Sequence, residues 1–233
     1  MQTDTLARRI CRGWLLLAIA AGLASPAWCQ AIAGWSGQVE LTGIPGSLLP
    51  GAFESDTAAS IFQESSNLIL VSDVAFDAGL PGLYDSPASL TPGVITAGTT
   101  VSDAYFHSDP IERTGTVFTG SVTFNSDILG VIALSATLSA TDSIFGAAGL
   151  VYPGHDGGRG LEMVPGQDSF AISQDLRTLT FSVMTWGNVD EMRIITAGTP
   201  GKGNEAAAAP EPGTGLLLAA GFAAFACRKL VRG

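Results

Sequence analysis

Four side chains at alternate positions, Asp103, Tyr105, His107 and Asp109, carry the densest chemistry in the sequence. Alternate residues of an extended strand share a face, so two carboxylates, an imidazole and a phenol stand together while Ala104 and Phe106 turn the other way. Such a set can hold calcium through its carboxylate oxygens, or a sugar hydroxyl. A half-exposed, solvated strand face has the same pattern. The second candidate is the glycine-rich run His155-Asp156-Gly-Gly-Arg-Gly-Leu-Glu162, whose backbone can approach a ligand closely, although a plain connecting loop reads identically.

Other chemistries leave weaker traces. A nucleophile elbow needs Gly-x-Ser-x-Gly, and Gly34-Trp-Ser-Gly-Gln38 has its second glycine one place early. A phosphate loop needs Gly-Lys followed by a hydroxyl, which Gly201-Lys202-Gly203 lacks. Two histidines, and cysteines only at positions 11, 29 and 227, support a zinc site poorly. Glycosidase chemistry needs two carboxylates at a set spatial separation, which acids scattered along a chain do not reveal. The expectation is therefore no enzyme, with no catalytic residue and no cofactor assigned, and calcium as the one candidate ion. A hydrolase with scattered carboxylates is a lesser alternative.

The elements that must position these residues are strands. In Leu176-Arg-Thr-Leu-Thr-Phe-Ser-Val-Met-Thr-Trp186, Leu179, Phe181 and Val183 face one way while Thr178, Thr180 and Ser182 face the other, which predicts one wet face. Residues 121–124 and 191–196 alternate similarly, and residues 128–134 read as a strand buried on both sides. Further strands are expected at 38–42, 67–76, 100–106 and 115–119, with a short helix around 56–64. Gly, Pro, Asp and Ser clusters separate them, notably 78–82, 91–93 and 152–158. Seven or more short strands with 29 glycines, 12 prolines and few charges predict an all-β fold, a single antiparallel jelly-roll-like β-sandwich over residues 32–197.

Charge narrows the partners. Between residues 30 and 209 nineteen carboxylates face five cations, a net of −14 in a chain of net −10. Such a field keeps a domain soluble and attracts cations, and it argues against nucleic acid.

Both ends read as addresses. Arg8, Arg9 and Arg12, an apolar helix over 14–24, and Pro26 before small residues form a signal peptide, residues 1–31, for the secretion translocon and signal peptidase. At the other end residues 213–227 are uncharged and largely apolar, a short transmembrane helix stopped by Arg228, Lys229 and Arg232. A Gly- and Ala-rich linker, 198–209, precedes it.

Pro210-Glu211-Pro212, then a short apolar helix, then Arg228-Lys229, resembles the PEP-CTERM sorting tail of Gram-negative bacteria that make exopolysaccharide. The resemblance implies a sorting tail over 210–233, read at Pro-Glu-Pro by an exosortase, an integral-membrane transpeptidase that cuts near the motif. It also implies export, transient anchoring in the inner membrane, and a final place at the cell surface or outside. The runs 103–109, 120–124, 128–132, 159–162 and 191–195 resemble a body type of other PEP-CTERM proteins, for which no activity is established. The expected role is structural or adhesive, in envelope, biofilm or exopolysaccharide, with extracellular polysaccharide as a partner. The alternative is a calcium- or carbohydrate-binding β-sandwich module.

Overall fold

The computed structural model describes residues 31–112, 115–154 and 158–198. They form an all-β fold with one α-helix and a single-turn 3-10 helix. The strands are β1 (Ile32–Gly37), β2 (Val39–Leu41), β3 (Ala59–Ile69), β4 (Val74–Phe76), β5 (Gly82–Tyr84), β6 (Gly93–Ile95), β7 (Thr100–Ser108), β8 (Thr116–Phe124), β9 (Ile128–Ile132), β10 (Ser169–Ile172), β11 (Thr178–Thr185) and β12 (Asp190–Ala197), and the helix is α1 (Ser135–Phe145). One five-stranded sheet runs β1-β8-β11-β10-β5, a second runs β2-β3-β7-β12-β9, and β4 pairs with β6. The described pairings are antiparallel except β2 with β3.

Alternation decides what each sheet buries. Phe118, Val122 and Phe124 of β8 and Leu179, Phe181 and Val183 of β11 join Ile61, Ala104, Phe106, Met192 and Ile194 of the other sheet in one apolar cluster. Phe106 meets Phe181 edge to face at 4.8 Å between ring centroids. The outward residues of β11, Thr178, Thr180 and Ser182, are exposed or half-buried, as their period predicts. Gly120 joins the two predicted runs 115–119 and 121–124 into one strand, because a Cβ there would lie 2.8 Å from the Ser36 carbonyl oxygen and 2.9 Å from Phe181.

The second sheet is covered on both faces. Its other face carries Phe62, Tyr105, Ile132 and Ile195, which pack with Leu138 and Phe145 of α1, Val74 of β4 and Ile95 of β6. Strand β9 serves both clusters, with Ile128 and Val131 on one side and Ile132 on the other.

Two local expectations are corrected. The helix expected around 56–64 is replaced by β3, whose residues from Ser60 to Ile69 pair with β7. Pairing along a neighbouring strand outweighs the weak local helix preference of a Ser- and Glu-containing run. The strand expected over 67–76 is two strands, β3 ending at Ile69 and β4 starting at Val74.

Strands β1, β5, β6 and β10 were not anticipated, and neither was α1, a Ser- and Thr-rich helix that buries Leu138, Thr141 and Phe145. Its start is fixed from outside the segment. Asp77 accepts hydrogen bonds from the Ala133 and Leu134 backbone N–H groups at 2.8 and 2.9 Å and from the Thr137 hydroxyl at 2.8 Å. A carboxylate at a helix N-terminus satisfies free N–H donors and complements the helix dipole.

Candidate functional site

Asp103, Tyr105 and His107 do share one face of β7, but α1 packs with Tyr105, Phe53 stacks on His107, and all three strand residues are buried. The register places Glu191 opposite His107 and Arg193 opposite Tyr105 on β12. On the other flank β3 pairs Phe62 with Tyr105, then bulges between Gln63 and Ser65. The extra residue of the bulge is Glu64, whose carboxylate is thereby aimed at Arg193.

These strands and α1 enclose a polar network. Arg193 donates from Nε to Glu64 Oε2 at 2.7 Å, from Nη2 to Glu64 Oε1 at 3.2 Å, and to Thr141 Oγ1 and Asp142 Oδ1 of the helix. Arg159 donates from Nε to Glu191 Oε2 at 2.7 Å, to both oxygens of Asp142, and to the Tyr105 hydroxyl. Tyr105 in turn donates to Glu191 Oε2 at 2.7 Å, and Tyr152 donates to Glu64. His107 Nδ1 lies 3.1 Å from Glu191 Oε1. Burial opposes the charge of both arginines, yet hydrogen bonding to Asp142 around Arg159, and the charge of Glu64 beside Arg193, hold both guanidinium groups above their usual pKa.

Asp103 is the exception to this pairing. Ser65 donates to its Oδ1 from N–H and hydroxyl, while Oδ2 has no hydrogen-bond donor and lies 3.5 Å from Arg193 Nε. Burial, then the charge of Glu64, push its carboxyl well above the usual range. Asp109 follows β7 and turns to a loop, accepting from the Gly51 N–H at 2.7 Å. The four residues chosen by alternation therefore divide between a buried network and a loop tie. His155, Asp156, Pro210, Glu211, Pro212, Arg228, Lys229 and Arg232 lie outside the described residues, as do residues 1–30 of the expected signal peptide and the expected membrane helix. Among the described residues no helix is long and apolar enough to cross a membrane.

A second polar group forms where the chain crosses from one five-stranded sheet to the other between β11 and β12. Glu162, Asp168 and Asp190 each place a carboxylate oxygen within 4.8 Å of the others. Asp168 accepts from the Glu162 N–H at 2.9 Å and the Met184 N–H at 2.8 Å, which ties the loop bearing Glu162 to β11. Asp190 is 2% exposed and its Oδ2 has no donor. Burial, then the charge of Asp168, push Asp190 well above the carboxylate range, and partial burial beside Asp168 pushes Glu162 up to about 7. Glu162 and Asp190 line an open depression of about 340 Å³ with Trp186, Gly187 and Asn188.

The sequence reading overlooked this trio because its members are six and twenty-two positions apart on a loop, a strand entrance and a strand start. Its second candidate run did contain Arg159 and Glu162, but it passed over Glu64, Asp142, Tyr152 and Arg193. Glu191 and Arg193 carried a usable signal, a buried-type strand with ionic residues at period two.

No curated protein and no solved structure matches the chain. Residues 208–232 match the model of the PEP-CTERM protein-sorting motif, so the chain carries that motif at this end.

Proposed function

We propose that this protein, exported and sorted by an exosortase, ends at the cell surface or in the extracellular matrix, where its body acts as a jelly-roll-like β-sandwich with a structural or adhesive role in envelope, biofilm or exopolysaccharide. The single observation that carries the reading is the sorting motif over 208–232. In this reading the segment 213–227 anchors the protein in the inner membrane until the exosortase acts, and the body does no catalysis.

The first sheet supports an adhesive role. Its five strands carry no charged side chain, although the body as a whole is strongly acidic. Its outer face presents Ser36, Thr119, Ser121, Thr123, Thr178, Thr180 and Ser182, with hydroxyl pairs at 2.9 Å between Ser36 and Ser121 and 3.1 Å between Thr123 and Thr178. A neutral hydroxyl surface meets a hydroxyl-rich polysaccharide without desolvating charge. The buried arginine network supports a structural role, since its cations are already matched by carboxylates.

The test is to express the full chain in a host with and without its exosortase and to compare mature mass and membrane association. Loss of the tail and release only when the exosortase is present is the expected result. An identical tail in both hosts would overturn the reading. A second reading, a calcium- or carbohydrate-binding module, is supported by the carboxylate trio and by Trp186, which is 57% exposed beside it.

A further inference from the structure

We propose that Glu162, Asp168 and Asp190 bind one hydrated calcium-class cation at the crossing between the two five-stranded sheets. The proposal deepens the second reading of function and stands apart from the sorting tail. Two oxygens bound to a common calcium at about 2.4 Å can lie up to about 4.8 Å apart. The three carboxylate oxygens meet that limit with no movement of the chain.

The trio alone would be an acidic cluster like many others. What points to a ligand is Asp190, a carboxylate 2% exposed whose Oδ2 has no donor, in a group where one oxygen of each of three carboxylates lies within 4.8 Å of the others. Buried polar groups in native folds have partners, and a carboxylate oxygen packed among carboxylates is paired either by a shared proton or by a cation that takes the proton's place. Among the described residues, the arginines that could neutralise the trio are engaged elsewhere. Arg159 pairs with Asp142 and Glu191, Arg177 with Asp127, and Arg193 with Glu64 and Asp142.

Local structure holds the ligands in place. Both Asp168 oxygens accept backbone N–H groups, and each keeps a lone pair for the ion. Asp190 opens β12, so its backbone is set by pairing with Ser108 of β7. Calcium takes six to eight oxygens, and a depression of about 340 Å³ has room for the remaining waters at roughly 30 Å³ each. The side chain of Asn188 lines the same space and offers a neutral oxygen. Joining Glu162, Asp168 and Asp190 through one ion would pin the loop before β10 to the start of β12, and so tie the two sheets at this end.

The test uses the full chain in detergent, stripped with EDTA and desalted, and titrated with calcium chloride by calorimetry and by thermal unfolding. The expected result is one saturable site with Kd in the range of about 10⁻⁴ to 10⁻³ M typical of extracellular modules. At 10 mM calcium, Tm should rise by about 3–10 °C. E162Q and D190N should each weaken binding at least about tenfold. Neither should unfold the apo protein, because each removes like-charge repulsion. Absence of saturable binding and of any Tm rise up to 10 mM calcium would overturn the proposal. So would calcium binding unchanged in the E162Q/D190N double variant, or magnesium binding as tightly as calcium. Release or retention of the tail by the exosortase has no bearing on these outcomes.

Discussion

Arg193 of β12 and Glu64 of the β3 bulge, 129 positions apart in sequence, form a two-pronged ion pair with Nε to Oε2 at 2.7 Å and Nη2 to Oε1 at 3.2 Å, both side chains fully buried. Strand β7 separates their strands, so the pair bridges across it and over the ring of Tyr105, whose centroid lies 5.0 Å from the guanidinium carbon. Removing one partner strands the other in a low-dielectric interior. Arg193→Met should therefore cost about 3–5 kcal/mol in chemical unfolding. Adding Glu64→Gln to that variant should recover part of the loss, since it removes the orphaned charge. A loss below about 1 kcal/mol for Arg193→Met would show that the pair adds nothing to the fold.

Asp103 predicts a pH dependence. Its folded-state carboxyl titrates well above the ordinary value of about 3.9, because burial and Glu64 disfavour the anion. A raised acid binds its proton more tightly when folded, so its contribution to stability is complete below about pH 3.9 and is lost as pH rises through the folded value. Asp103→Asn keeps an acceptor for Ser65 and supplies a neutral N–H donor toward Glu64. The Tm of this variant minus that of the parent should become more positive from pH 4 to pH 8, read by scanning calorimetry. Other raised groups, such as Asp190, are common to both proteins and cancel in the difference. Parallel curves would mean that Asp103 is not the group responsible.

How far the sequence could be read depended on where each residue's partners lie. Alternation in residues 176–186 marked a strand with one buried face, and Thr178, Thr180 and Ser182 do face outward. Residues 191–196 are a strand too, but the wet face expected of them is absent, because β12 is buried on both sides. The same rule grouped Asp103, Tyr105 and His107, but alternation reports a shared face and is silent on what covers it. Part of that cover is α1, and α1 is hard to read because its N-terminus is capped by Asp77, more than fifty positions upstream. Strand β3 was obscured by its own bulge, which breaks the period at the very residue that reaches Arg193. The carboxylate trio needs three separate segments to converge, and nothing local encodes that.

Gly160 predicts a steric effect of a single methyl group. A Cβ there would lie 2.4 Å from the Ser135 backbone nitrogen and 2.5 Å from the Ala133 carbonyl oxygen, both at the entrance to α1. Backbone cannot yield as a flexible side chain does. Gly160→Ala should destabilise by about 1–3 kcal/mol in thermal unfolding. Gly154→Ala, where a Cβ meets nothing within 4 Å, is the control and should stay within about 0.5 kcal/mol of the parent. Equal stability of the two variants would remove close packing at Gly160 as a constraint.

The sorting motif predicts a separation of folding from processing. The described strands end at Ala197, and Pro210-Glu211-Pro212 lies beyond the Gly- and Ala-rich stretch that follows. Changing all three to alanine should leave thermal unfolding of the body within about 0.5 kcal/mol of the parent, as expected for positions outside a packed core. Processing should nevertheless stop, because proline fixes φ near −65° and a Pro-x-Pro element with a central carboxylate presents one extended shape. Alanine restores helix propensity and backbone freedom beside the apolar segment 213–227, and both work against that shape. Removing Arg228, Lys229 and Arg232 should act differently, weakening membrane retention before processing, since in the proposed reading those cations would hold the end on the cytoplasmic side. Mass spectrometry of the released protein from an exosortase-containing host distinguishes the two. If the triple-alanine chain were trimmed and released like the parent, residues 213–227 would be an ordinary anchor and the motif at 208–232 would have no part in sorting this protein.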